Sequence, residues 1–255
     1  MNVEITFLGT GTSQGVPTIA CDCEVCRSAD PRDKRMRTSA LVSLDGHPVL
    51  IDTTPDLRVQ CLQNNVRGVD AVLITHTHAD HFLGLDDIRR YTQIQQSPID
   101  LYVHRQHYAS LEKVFGYAQA ERAGSNPDLP HLWFHPVEKP FSLFGHEVIP
   151  ILFPHGRAVV TGFRIGPLAY CTDISGMPTE AAAQLQDLEL LVLGALRPQP
   201  HPAHLSIDQA VEVAQRIGAK QTYLVHMSHQ VCHQEQDGLL PDSIHLAYDG
   251  LKIGI

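Results

Sequence analysis

The chain has 255 residues, 43% of them hydrophobic and 18% charged, which is enough apolar material for a sizeable core and excludes an intrinsically disordered protein. A formal net charge of −9 and a pI near 5.9 exclude a broad basic footprint for a nucleic-acid backbone. No apolar run approaches a membrane span, and the first residues lack a basic stretch followed by a small-residue cleavage site. The expectation is a cytoplasmic protein with no membrane partner, its six cysteines kept reduced.

Residues 3–8 alternate as a first strand and run into Gly9-Thr10-Gly11-Thr12-Ser13-Gln14-Gly15. This stretch lacks the Lys-Ser/Thr ending of a nucleotide-binding loop and no helical pattern follows it, so it reads as a tight, flexible turn beside a site. Residues 40–44 and 48–52 form a hairpin across Asp45-Gly46. A short helix over 57–64 and a strand over 69–74 follow, with helical spacing again over 85–95. Further strands fall at 101–103, 147–153, 161–165, 168–172 and 190–193, and helices at 179–188 and 206–217, with Ser206 suited to cap the latter. Residues 223–225 read as the last strand. Residues 124–130 read as a surface loop, and without repeats or a low-complexity linker the expectation is one domain over 1–255.

The run Thr75-His76-Thr77-His78-Ala79-Asp80-His81 follows the apolar strand at 69–74. In extended backbone His76 and His78 project to the same side and can share an ion. A turn into a helix then brings Asp80 and His81 back over that mouth toward a second ion, with Asp80 placed to cap the helix. A chance surface histidine cluster is the ordinary alternative, but this run is internal, follows a strand and carries a carboxylate in register. The chain holds sixteen histidines, and strand ends elsewhere are followed by Asp52, His155, Asp173, His204 and His226, as if several loops converge on one mouth. Asp52 is expected to orient a metal-ligating imidazole without itself touching the ion.

Cys21, Cys23 and Cys26 place three thiols within six residues, a spacing that suits a structural zinc in a reducing compartment. The best fourth ligand is His229, next to His226. Buried, redox-neutral cysteines are the plainer alternative, and Cys61, Cys171 and Cys232 read as such. Arg89 and Arg90, after the histidine run, and Arg157, beside His155, are candidates to hold a phosphate. For Arg89 and Arg90 the competing reading is a solvated helix face paired with Asp86 and Asp87.

Carried by His76, His78, Asp80 and His81, the sequence resembles the metallo-β-lactamase superfamily, whose signature is His-x-His-x-Asp-His. Within it the chain is similar to the PhnP phosphodiesterases, which act on cyclic phosphates in phosphonate breakdown. The shared features are Gly9-Thr10-Gly11, Gln14-Gly15-Val16-Pro17, the cysteine cluster, Thr172-Asp173 and His226-x-Ser228-His229-Gln230. The resemblance implies an α/β fold, a four-layer αββα sandwich, with a Cys-rich zinc-binding insertion near 17–37. It also implies a dinuclear centre of divalent zinc, manganese, iron or nickel: His76, His78 and His155 on one ion, Asp80, His81 and His226 on the other, with Asp173 and a hydroxide bridging. One structural zinc would be closed by His229. His204, with His201 as its less suited neighbour, would hand a proton to the leaving group.

The implied activity is hydrolysis of a small anionic phosphodiester, cyclic or linear, with self-association into a homodimer left open. The alternatives are a tRNA 3′-processing endonuclease, disfavoured by the acidic balance; a lactone or thioester hydrolase; and a PqqB-like carrier of cofactor biosynthesis, which shares the cysteine cluster. A β-lactamase is disfavoured by the absence of a secretion signal. Intact motif ligands favour an enzyme over a carrier.

Overall fold

Strand side chains alternate between faces, so a strand that is apolar at every position must be covered on both. All residues of Ala71–Ile74 and of Leu190–Gly194 are buried in this way. The computed structural model describes residues 2–124 and 126–255; Met1, and Ser125 within the loop expected at 124–130, lie outside the described residues. The first sheet is built from β1 (Val3–Gly9), β2 (Ser39–Leu44), β3 (His47–Ile51), β4 (Ala71–Ile74), β5 (Ile99–His104) and β6 (Leu132–Val137). The second holds β7 (Phe141–Leu143), β8 (His146–His155), β9 (Ala158–Ile165), β10 (Leu168–Cys171), β11 (Leu190–Gly194), β12 (Gln221–Val225) and β13 (Ile244–Leu246). Finally β14 (Lys252–Gly254) returns to the first sheet beside β1.

Among the described residues each sheet has seven strands, ordered β14-β1-β2-β3-β4-β5-β6 and β13-β12-β11-β10-β9-β8-β7. Both are mixed: β3 to β6 and β10 to β13 run parallel to their neighbours, while β1-β2-β3 and β7-β8-β9-β10 are antiparallel.

Alternation distributes these strands over three cores. Val3, Ile5, Phe7 and Leu73 of the first sheet meet Phe163, Tyr170 and Val192 of the second in the central core. The opposite residues of the same strands, Val72 and Ile74, face helices through Leu57, Ile88 and Leu111. Leu191 and Leu193 face the helix Ile207–Ile217 through Ala210, Val213 and Ile217. Three apolar interfaces define four layers, helix-sheet-sheet-helix, as expected from the resemblance. Each fully buried Leu, Ile or Phe contributes about 1.5–3 kcal/mol.

The hairpin forms as its turn chemistry dictates, with positive φ at both Asp45 and Gly46. Ser206 caps its helix through a capping box: Gln209 N–H donates to Ser206 Oγ and Ser206 N–H to Gln209 Oε1. Other expectations need correction. The helical span 85–95 is a 3₁₀ turn, Leu85–Ile88, followed by the α-helix Arg89–Gln95, and the helix expected at 179–188 stops at Ala183. Residues 223–225 are not the last strand, since β13 and β14 follow. The helix Arg105–Phe115 went unread. Among the described residues no helix is long and apolar enough to cross a membrane.

The cysteine-bearing excursion is closed at its neck where Val16 and Arg35 exchange backbone hydrogen bonds of 2.8 and 2.7 Å. The fully buried Arg35 guanidinium pairs with Asp33 at 3.0 Å and donates to Val231 O at 2.9 Å, while Asp33 also accepts from His233 N–H at 2.8 Å. This ties the excursion to the segment after β12. Removing either partner would strand a buried charge, at a cost of about 3–5 kcal/mol.

Candidate metal centre

Neighbouring parallel strands end at one edge of their sheet, so the loops that follow them share a mouth. Asp52 follows β3, the run from Thr75 to His81 follows β4, Asp173 follows β10 and His226 follows β12, while His155 closes β8. Asp52, Asp173 and His226 hold φ of 63°, 59° and 65°, a left-handed conformation that turns the chain sharply at each strand end. Such a conformation persists in a non-glycine residue only where its surroundings fix it. At His226 they do: Ala195 N–H donates to Val225 O at 2.8 Å, and Met227 N–H to Thr10 O at 3.0 Å.

The structure brings all seven expected ligands together. Donor atoms of His76, His78, His155 and Asp173 lie within 4.8 Å of one another, as do those of Asp80, His81, Asp173 and His226, and Asp173 belongs to both groups. His81 Nε2 stands 3.4 Å from Asp173 Oδ2 and 3.3 Å from Asp80 Oδ2, and His226 Nε2 stands 3.2 Å from Asp173 Oδ1. These contacts lack hydrogen-bond direction, so Nε2 of His76, His81 and His226 is buried without a partner. Unpartnered buried nitrogens are costly. Imidazoles and carboxylates converging on two points are the donor set that divalent transition metals take, so the residues fit the ions the sequence implied.

One expectation fails locally. The short helix Ala79–Phe82 has His78, not Asp80, in the capping position, and no side chain caps it. Asp80 sits in its first turn, where its carboxylate faces His81 and His226 instead of the helix N–H groups.

The far side of three rings, His81, His76 and His155, is fixed, while His226 Nδ1 is buried without a partner. His81 Nδ1 donates to Asp52 Oδ2 at 2.7 Å, the partnership expected of Asp52. Thr75 donates to the same carboxylate through N–H and Oγ1, both at 2.8 Å, and Thr75 Oγ1 accepts from His76 Nδ1 at 3.0 Å. His155 Nδ1 donates to Ala203 O at 2.8 Å. With Nδ1 of these three rings engaged, their Nε2 atoms are the ones that face the centre. Burial, helped by His81, pushes His76 well below its ordinary value, so it stays neutral. At His81 burial is outweighed by Asp173 and Asp52, which raise it well above its own, so a metal there would displace its Nε2 proton. Burial alone would raise Asp173, but His226, His81 and His76 hold it well below the carboxylate range.

The second cluster also assembles. His229 Nδ1 lies 3.2, 3.4 and 3.7 Å from the sulfurs of Cys21, Cys23 and Cys26. Cys23 precedes the helical turn Glu24–Arg27 and accepts from Cys26 N–H; chiefly through that hydrogen bond its thiol is lowered to about 6. Cys61 and Cys171 are buried free thiols, and Cys232 packs against the cluster.

Around the mouth, the His204 ring lies 4.7 Å from His155 and 4.9 Å from His226, and burial pushes it down to about 3. The His201 ring lies 5.1 Å from that of His204. Arg89 pairs with Asp86 and donates to Asp128 O, and Arg90 lines a separate groove with Leu57 and Tyr91. Arg157 is exposed in the turn after His155. Sequence reading missed His107, whose ring stands edge-on 6.4 Å from His76, and the bridging role of Thr75. Thr75 lay within the run, but only the fold shows that its hydroxyl lies between Asp52 and His76.

Two helix-flanked mixed sheets with this candidate metal centre at their strand ends are the metallo-β-lactamase fold. Residues 47–227 match the family described as the beta-lactamase superfamily domain. A solved structure described as a new diphosphatase from the PhnP family is 42% identical, with a TM-score of 0.92 over 100% of this chain and 98% of its own. The chain therefore belongs to the beta-lactamase superfamily and, within it, to the PhnP family. A protein of Porphyromonas gingivalis (strain ATCC BAA-308 / W83) named octanoyltransferase is 39% identical over 257 residues, 96% of this chain and 50% of that protein. The chain thus spans about half the length of that relative. Zinc-bound PqqB of Methylobacterium extorquens shares the fold at 19% identity, with a TM-score of 0.80 over 98% of this chain and 99% of its own.

Proposed function

We propose that the chain is a phosphodiesterase for small anionic phosphates, diester, cyclic or diphosphate. The observation that carries this reading is the pair of ligand groups sharing Asp173, with buried imidazole nitrogens left free to bind. His76, His78, His155 and Asp173 would hold one divalent ion, and Asp80, His81, His226 and Asp173 the other. Bound there, zinc, manganese, iron or nickel supplies charge neutralisation for phosphoryl oxygens and an activated nucleophile at neutral pH. The similar PhnP-family structure, described as a diphosphatase, supports a phosphorus–oxygen bond as the target. Cys21, Cys23, Cys26 and His229 would hold a structural zinc.

The chain's own residues do the rest. Asp52, Thr75 and the Ala203 carbonyl keep His81, His76 and His155 in the tautomer that faces the centre. His204, against His155 and His226, stands where it can pass a proton to the departing oxygen. Burial keeps its ring neutral in the protein alone, and an anionic phosphate beside it favours the protonated ring needed for that transfer.

The test is one metal-defined preparation assayed with bis(p-nitrophenyl) phosphate, 2′,3′-cyclic nucleotides, a lactone, a thioester and a precursor tRNA, each with zinc, manganese or nickel. Turnover confined to the small phosphate esters is the expected result. Faster cleavage of lactone, thioester or tRNA overturns the substrate class, and no turnover with any metal favours a carrier.

A further inference from the structure

A cleft of about 350 Å³ is lined by His204 but by neither His155 nor the shared Asp173. Its walls are Thr12, Ser13 and Gln14 from the glycine-rich turn, Gln230 from the segment after His226, and Arg197 and His204 from the loop after β11. No carboxylate lines it, in a chain with 28 acidic residues against 19 Lys and Arg. What it offers is hydroxyls, amides, imidazoles and one guanidinium.

Arg197 is the cation of this cleft, and among the described residues no carboxylate lies within ion-pairing distance of it. Its Nε and Nη2 reach only the carbonyls of Gln199 and Pro200, at 3.4 and 3.3 Å. The loop that carries it is set in advance. Leu196 N–H donates to Leu205 O at 2.9 Å across its neck, Leu205 N–H to Ile174 O at 3.0 Å, and Pro198, Pro200 and Pro202 restrict the backbone between. The opposite wall is equally fixed, because Thr12 N–H donates to Met227 O at 3.0 Å and Ser228 N–H to Leu196 O at 2.9 Å.

We infer that this cleft receives the leaving half of the substrate, and that Arg197 selects leaving groups which themselves carry a phosphate. The inference rests on the phosphodiesterase reading and on His204 as the group facing the departing oxygen. A diphosphate cleaved at the centre leaves a phosphate monoester on the His204 side, and that dianion meets a guanidinium with no other anion to satisfy it. An uncharged leaving group gains nothing from Arg197. A charge-assisted hydrogen bond of this kind is worth about ten- to hundredfold.

The test compares two substrates with the same transferred half: the p-nitrophenyl ester of adenosine 5′-monophosphate, and P1,P2-di(adenosine-5′) diphosphate, whose leaving group is itself a phosphate monoester. For Arg197→Ala and Arg197→Gln in the manganese-loaded protein, the ratio of kcat/KM on the diphosphate to that on the aryl ester should fall about tenfold or more, chiefly through KM. Arg197→Lys should recover part of it. The aryl ester reports folding in every variant. A ratio that stays within about twofold of wild type in both neutral variants overturns the role of Arg197 while leaving the phosphodiesterase reading intact. Failure of the wild type to cleave even the aryl ester removes that reading, and this inference with it.

Discussion

Every imidazole facing Asp173 has two nitrogens, and the protein must commit the proton to one of them before a metal can take the other. Asp52 does this for His81 directly and for His76 through the Thr75 hydroxyl. Asp52→Asn keeps the size but loses the charge that holds the His81 proton at Nδ1. We expect metal affinity to fall about 10- to 100-fold, read by competition with a chromophoric chelator, and an unchanged affinity would remove Asp52 from that role. At the other cluster the sign of the pH effect is set by Cys23, whose thiol falls from an ordinary 9.0 to about 6 without metal. A depressed thiol contributes to stability above its ordinary value and loses that contribution as pH falls through about 6. Zinc release to a chromophoric chelator should therefore rise steeply as pH drops through 6, and a flat profile down to 5 would count against thiolate ligation. The candidate ligands in both clusters were legible because they are near neighbours in sequence or sit at strand ends. Asp80 was misread as a cap because its partners, His81 and His226, come together only when the fold closes.

The strands read from sequence and those missed divide by position in the sheets. All ten interior strands gave apolar alternation or continuous apolar runs, whereas β6, β7, β13 and β14 are the four sheet edges. An edge strand has one hydrogen-bonded neighbour and a half-exposed surface, so its pattern is weak: β6 carries His135 and Pro136, and β14 is largely exposed. Interior strands carry tighter constraints, and among them Gly194 in β11 is the glycine packed against Asp173. A Cβ there would meet Asp173 N at 2.8 Å, and β11 cannot retreat because β10 and β12 hold it on both sides. Gly194→Ala should destabilise the chain by about 1–3 kcal/mol and lower its metal content by displacing Asp173. Gly254→Ala, in edge strand β14 with nothing within 4 Å, is the matched control. Equal melting temperatures and metal contents for the two would sink the argument.

At the scale of the molecule, the centre joins the two halves of the sandwich. His76, His78, Asp80 and His81 leave the first sheet after β4, while His155, Asp173 and His226 come from the second. Between the sheets lies an apolar core, which is non-directional, so the ligand set adds a directional link at this edge beside the backbone hydrogen bonds from Met227 to Thr10, Thr12 to Met227 and Thr161 to Thr75. A metal bound there stabilises only the arrangement in which both halves are in place. At 100 to 1,000 times its dissociation constant this linkage amounts to about 3–4 kcal/mol. For a domain of this size that corresponds to roughly 10 °C in Tm. Wild type stripped of metal should therefore melt roughly 10 °C lower and regain the loss when manganese is added. Asp173→Asn, which weakens the ligand shared by both groups, should gain far less from manganese. The Cys21, Cys23, Cys26 and His229 cluster is intact in that variant, so a full manganese response in it would place the stabilising metal at the cysteines and dissolve the link between the sheets.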